Sequence, residues 1–148
     1  WANLADATRA RGDEAAAGAI LRAALLRLPD DADLHHAAGL ALVRSGDLSA
    51  ALAALERAVQ LDPASARFAY VYGIALNSAG DTTRALGTLA AATRRHPADR
   101  DILLALITIN RDAGQLADAR KYVELLMAQD PGSSDAAALL KELNARSL

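Results

Sequence analysis

Three histidines are the residues of this chain best suited to proton transfer or metal ligation, and no cysteine stands beside them. His35 and His36 are adjacent, so on a helix their side chains diverge by about 100° and cannot converge on one metal ion. His36 reads as a groove contact and His35 as part of the packing between helices. His96 precedes Pro97 next to Arg94 and Arg95. With Arg100 these cations could gather an anion, but basic side chains at a helix end also complement the terminal dipole, and that is the favoured reading. Without cysteine there is no thiol nucleophile, thiolate metal site or disulfide framework. Ser45, Ser49, Ser65, Ser78, Thr82 and Thr83 stand where caps and hinges are needed. No glycine-rich phosphate loop, nucleophile motif or metal-ligand pair at helical spacing accompanies them. The expectation is a protein that is not an enzyme and holds no metal or cofactor.

Charge and composition narrow the partner. Sixteen basic residues against eighteen acidic ones give −2 with the signs interspersed, which argues against nucleic acid or an anionic membrane surface. The longest apolar run, Ile102 to Ile109, is far short of the roughly 20 residues a spanning helix needs, so no membrane insertion is expected. Apolar residues make up 53% of the chain but aromatics only 3%. A core can therefore form, through helices that approach over small side chains. The sequence begins at Trp1 without a methionine or signal-like segment, which suggests a piece of a longer protein.

The elements that must position these residues are spaced by a beat. Pro29, Pro63, Pro97 and Pro131 recur at one constant interval, and a period of about 34 residues marks stacked helical hairpins. Phasing on the prolines gives repeats 1–31, 32–65, 66–99 and 100–133, followed by a C-terminal capping helix over 134–148. Each repeat turns at a glycine: Gly12, Gly46, Gly80 and Gly114, where a left-handed residue can close one helix before Asp13, Asp47 or Asp81 caps the next. Small residues recur in register, as in Ala17, Ala51, Ala85 and Ala119, or Ala24, Ala58 and Ala92, or Ala5, Gly39 and Gly73. Leu21, Leu55, Leu89 and Val123 repeat beside them. Ile107 and Leu126 break the pattern by being large, so the fourth hairpin is expected to splay or shift.

These features resemble the tetratricopeptide repeat, whose pattern W-x2-L-G-x2-Y, A-x3-F, A and P spans about 34 residues. Trp1-x2-Leu4-Ala5 opens the first copy, and Ala38-Gly39 with Leu42, Tyr72-Gly73 with Leu76, and Leu106-Ile107 with Asn110 follow. The resemblance covers essentially the whole chain. It implies an all-α, right-handed superhelical solenoid of antiparallel helix pairs, about nine helices in all, of bacterial type, in which the first helix of each repeat lines the concave face.

Carried over by position, that face includes Asn3, Asp6 and Arg9, then Asp33, His36, Ala37, Leu40, Val43 and Arg44. Arg67, Tyr70, Val71, Ile74, Asn77 and Ser78 follow, then Asp101, Leu104, Ala105, Thr108, Arg111 and Asp112. The expected partner is a protein or peptide, held on an apolar stripe of Leu40, Val43, Tyr70, Val71, Ile74 and Leu104. His36, Arg67 and Thr108 lie on the same face, and Arg44, Asn77 and Arg111 would orient the guest. The family's carboxylate clamp for chaperone tails needs lysine, asparagine and arginine at set places. Ala2, Asp6, Ala37, Arg67 and Val71, or one repeat on His36, Leu40, Val71, Asp101 and Ala105, stand there instead. Only Arg67 fits, so that ligand is not expected.

Two alternatives stay open. The chain could be a structural or self-assembly segment that stacks through Trp1 and the C-terminal helix. It could also be an accessory arm of a bacterial enzyme, because R-F-A-Y-V-Y-G-I-A-L is similar to repeats attached to multi-haem cytochromes; no Cys-x-x-Cys-His is present. A soluble protein of the bacterial cytoplasm or periplasm fits all three, and the compartment is left open.

Overall fold

Helix starts are fixed once per repeat by an oxygen side chain two places after each proline. Asp31 accepts the amide of Leu34 at 2.9 Å, Ser65 that of Phe68 at 3.3 Å, Asp99 that of Ile102 at 3.0 Å, and Ser133 that of Ala136 at 3.4 Å. Each satisfies one of the amides a helix N-terminus leaves without an internal partner. Within the hairpins Asp13, Asp47 and Asp81 cap the second helices in the same way, whereas Gln115 makes no side-chain cap bond. The turn glycines lie at φ between 75° and 90°.

In this computed structural model, which describes residues 1–146, the described residues form nine helices and no strand. They are α1 (Ala2–Ala10), α2 (Glu14–Arg27), α3 (Ala32–Ser45), α4 (Leu48–Leu61) and α5 (Ala66–Ser78). After these come α6 (Thr82–Thr93), α7 (Arg100–Asp112), α8 (Leu116–Gln129) and α9 (Ser134–Arg146). The chain divides into two units, Trp1–Ala75 and a second beginning at Leu76. In the first, α1 packs on α2, α2 on α3 and α3 on α4; in the second, α6 packs on α7, α7 on α8 and α8 on α9. Residues 147 and 148, the last two of the expected capping helix, lie outside the described residues.

Two crossings hold each unit, and at all but that of the fourth hairpin a small side chain faces a large one. Inside the hairpin, Gly39 stands so close to α4 that a Cβ there would lie 2.6 Å from the Leu55 side chain. Ala5 and Leu21 hold the same two positions one repeat earlier, and Ile107 and Val123 hold them two repeats later; all four are buried. Between hairpins, Ala24 shares a buried cluster with Leu34, and Ala58 and Phe68 are the equivalents one repeat on. In the second unit Ala92 and Ile102 follow this order, but the last pair is reversed to Leu126 and Ala136, which share one buried cluster. Size is redistributed there instead of added. Ile107 and Leu126 are at most 1% exposed; a smaller Ala136 offsets Leu126, whereas Val123 is only one carbon smaller than Leu55 and offsets a part of Ile107.

That exchange can be tested by a double-mutant cycle read from urea unfolding. Leu126→Ala is expected to cost about 2–5 kcal/mol and Ala136→Leu about 1–3 kcal/mol. The double substitution should recover at least about 1 kcal/mol of their sum; strictly additive losses would mean that the two positions do not share space. At the turn, Gly80 has φ +86° and open space where a Cβ would go, so Gly80→Val isolates backbone strain. It should lower stability by about 1 kcal/mol or more, and an unchanged melting curve would refute a strained site.

Candidate functional site

Along α3, Asp33, His36, Ala37 and Leu40 follow the i, i+3, i+4, i+7 spacing of one helical face, and Arg67, Tyr70, Val71 and Ile74 repeat it along α5. On α1, Asn3 and Asp6 hold the positions one repeat before Ala37 and Leu40. These helices frame a cleft of ≈ 330 Å³ within the first unit, lined among others by Asn3, Asp6, His36, Leu40, Arg44 and Arg67. Four of the residues nominated from sequence, His36, Leu40, Arg44 and Arg67, are thus brought together. Val43, Tyr70, Val71 and Ile74 lie outside that lining. Val43 and Ile74 are 41% and 36% exposed, while Tyr70 and Val71 are half-buried.

In the second unit, Leu104 is half-buried against the cluster formed by α7, α8 and α9, and Thr108 is exposed. Asn77 accepts a hydrogen bond from the Thr82 hydroxyl at 3.1 Å, across the turn that joins α5 to α6. Arg111 lies 3.0 Å from Asp112 and 3.6 Å from Glu142 on α9. In the first unit Arg44 donates from Nε to Glu14 at 2.9 Å, and Arg67 from Nη2 to Asp33 at 2.7 Å. The three polar residues expected to orient a guest, Arg44, Asn77 and Arg111, are therefore each engaged within the chain. The Arg44 and Arg67 pairs are solvent-exposed and individually worth about 0–1 kcal/mol, so they set where a charge rests more than they set stability.

His36 is the least ordinary group at the cleft. Its residue is 4% exposed, its ring stacks at 4.7 Å on Phe68, and no partner among the described residues satisfies its Nδ1. Burial holds its pKa below the usual value; the Arg67 guanidinium pushes the same way, and the Asp33 carboxylate opposes them. His35 turns elsewhere and places Nε2 2.7 Å from the Pro29 carbonyl, closing the loop before α3. The two adjacent histidines thus part company, as helical geometry requires.

A larger and more apolar cleft went unread in the sequence. It measures ≈ 590 Å³ and lies between α2 and α4 over α3, lined by Gly18, Leu25, Ala38, Ala41, Leu42 and Ala54 among others. The signal was the run of alanines and a glycine on facing helices, where truncated side chains leave room. Of the apolar stripe expected on the first-helix face, only Leu40 lines the polar cleft. Among the described residues, no three His, Asp or Glu side chains gather as a metal site, and no helix is long and apolar enough to cross a membrane.

The sign of the pH effect follows from the direction at His36. Its folded-state pKa lies below the unfolded value near 6.5, so between the two the unfolded chain binds more protons and stability rises with pH. The contribution is complete above about pH 6.5 and is lost as pH falls through the folded value. Urea midpoints at pH 7.5 and 5.5 should therefore fall further for the native chain than for His36→Leu; equal falls would show that His36 does not titrate as a buried base.

Two tetratricopeptide-repeat family models match the chain, over residues 36–92 and 76–143. No curated protein matches its sequence. Among solved structures, MamA from Desulfovibrio magneticus RS-1 is similar at 22% identity and a TM-score of 0.80, covering 98% of this chain and 82% of that one. YrrB, described as a tetratricopeptide protein with an unusual peptide-binding site, gives 21% and 0.78 over 98% of this chain and 75% of its own. PilF of Pseudomonas aeruginosa gives 22% and 0.80 over 99% and 67%. At these identities the likeness is one of fold, a solenoid of paired helices. With the two family models together spanning most of its length, the chain belongs to the tetratricopeptide repeat family.

Proposed function

We propose that this chain is a protein-interaction module whose first-helix face holds an extended or helical segment of a partner protein. In the first unit Leu40, Val43, Tyr70, Val71 and Ile74 supply the apolar contact; in the second, Leu104 and Thr108 occupy the positions one repeat after Tyr70 and Ile74. The observation that carries this reading is the exposure of Val43 and Ile74 on helices that already bury another face. Tetratricopeptide repeats generally mediate protein–protein interaction, and the similar YrrB is described by a peptide-binding site. Selection of displayed peptides on the immobilised chain tests the reading. Selected peptides should lose binding to Ile74→Asp while its circular dichroism stays helical; peptides that bind both forms equally would place the contact elsewhere, and a collapsed spectrum would make Ile74 a core residue.

Self-association is favoured by a separate observation. Leu4 holds the register of Tyr72 and Leu106, which are buried, yet Leu4 and the neighbouring Trp1 are each 49% exposed. A second copy laying a helix there would bury them as the interior repeats do. Light scattering should then show mass rising with concentration for the native chain and not for Leu4→Lys; a constant monomer mass in both would rule this reading out.

A further inference from the structure

We propose that the cleft framed by α1, α3 and the start of α5 seats one basic side chain, lysine or arginine, of the partner segment. This deepens the peptide-binding reading and rests on it. The argument is one of which groups are already spoken for. Both cations at the cleft have carboxylate partners, Arg44 with Glu14 at 2.9 Å and Arg67 with Asp33 at 2.7 Å. Glu14 is not part of the lining, so the charge of Arg44 is drawn toward α2. The carboxylates keep acceptor capacity beside the spare N–H groups of Arg44 and Arg67 and the amide of Asn3. Among the described residues Asp6 has only Arg9, at 3.6 Å and i,i+3, and Asp33 spends a single oxygen on Arg67. His36 lines the same cleft with its Nδ1 unpaired.

A lysine ammonium or an arginine guanidinium is all donor and no acceptor, which complements the Asp6 and Asp33 carboxylates once each arginine's charge is matched. A carboxylate guest would meet two arginines whose charge is already matched and would stand beside the Asp6 and Asp33 carboxylates, which repel it. The volume, ≈ 330 Å³, is at the bottom of the roughly 300–1,000 Å³ range of ligand sites, room for the end of one side chain. From Arg67 to Ile74 the helix rises about 10 Å, which an extended chain crosses in about three residues. The favoured guest thus carries a basic residue and a large apolar one about three places apart.

Fluorescent dodecapeptide pools test this on the intact chain. Each pool fixes one leucine and sets the residue three places before or after it as Lys, Arg, Glu or Ala, with the other positions randomised. Lys or Arg pools should bind about tenfold tighter than Ala pools, with Glu pools weakest. Asp6→Asn should bring the ratio of Lys-pool to Ala-pool affinity close to one while the unfolding midpoint stays unchanged, and Asp6→Glu should restore the preference. Ile74→Asp should weaken every pool. Pools that bind without regard to charge, a preference for Glu, or a basic preference that survives Asp6→Asn would each overturn the basic seat and leave the peptide-binding reading standing. No binding by any pool would overturn both.

Discussion

The first unit depends on the close approach of Gly39 to Leu55: an added Cβ would stand 2.6 Å from the leucine side chain and 3.3 Å from the leucine's backbone nitrogen. Two full side chains do not fit at that distance, so the hairpin closes only if one of the two positions gives up its bulk. The crossing in turn decides which side of α3 is free. With Gly39 and Leu34 turned into the packing, Leu40, Val43 and Arg44 are left half-buried or exposed, and the cleft against α1 and α5 follows from them. The face proposed for binding is thus what remains of the helix surface after packing has taken its share.

Much of this is readable from the residues because it is local. A glycine at a turn, an aspartate or serine three residues before an amide, and an apolar run without a polar face each act over a few positions. So Gly46 and Gly80 take positive φ, Asp31 and Asp99 cap, and the run from Ile102 to Ile109 is buried apart from half-buried Leu104 and exposed Thr108. Size is harder. Leu126 looks too large when it is compared with its own repeat equivalents, and only the opposing Ala136 shows why it fits. Packing is a property of pairs, and a repeat alignment compares one member of the pair at a time.

The polar part of the face is the least legible. Arg44 reaches Glu14, Arg111 reaches Glu142, and Arg100 comes to 3.7 Å from Asp135, each partner lying about one repeat away along the chain. Long exposed side chains choose among several acceptors separated by small energies, and spacing alone does not rank them. His36, a groove contact by sequence, lines the cleft and is also almost wholly buried and stacked on Phe68. Nothing in its own repeat announces the phenylalanine at the next one, since Leu34 and Ile102 hold the places equivalent to Phe68.

The period itself explains why core and face differ in this respect. Residues one period apart occupy equivalent places in successive hairpins, and where two hairpins are neighbours those places come close together, as Asp33 and Arg67 show at 2.7 Å. Identical apolar residues at such places only add contact, so the core can repeat Ala17, Ala51, Ala85 and Ala119 without penalty. Identical charges at facing places repel, so a charged face is driven to vary from one repeat to the next. The pattern that defines the family must therefore be written in the packed positions, and the choice of partner in those that the pattern leaves free. In the first unit those free positions carry two matched ion pairs and an Asp6 carboxylate held only at the surface. The basic seat proposed for the cleft would discriminate by charge even though the repeat that builds it says nothing about charge.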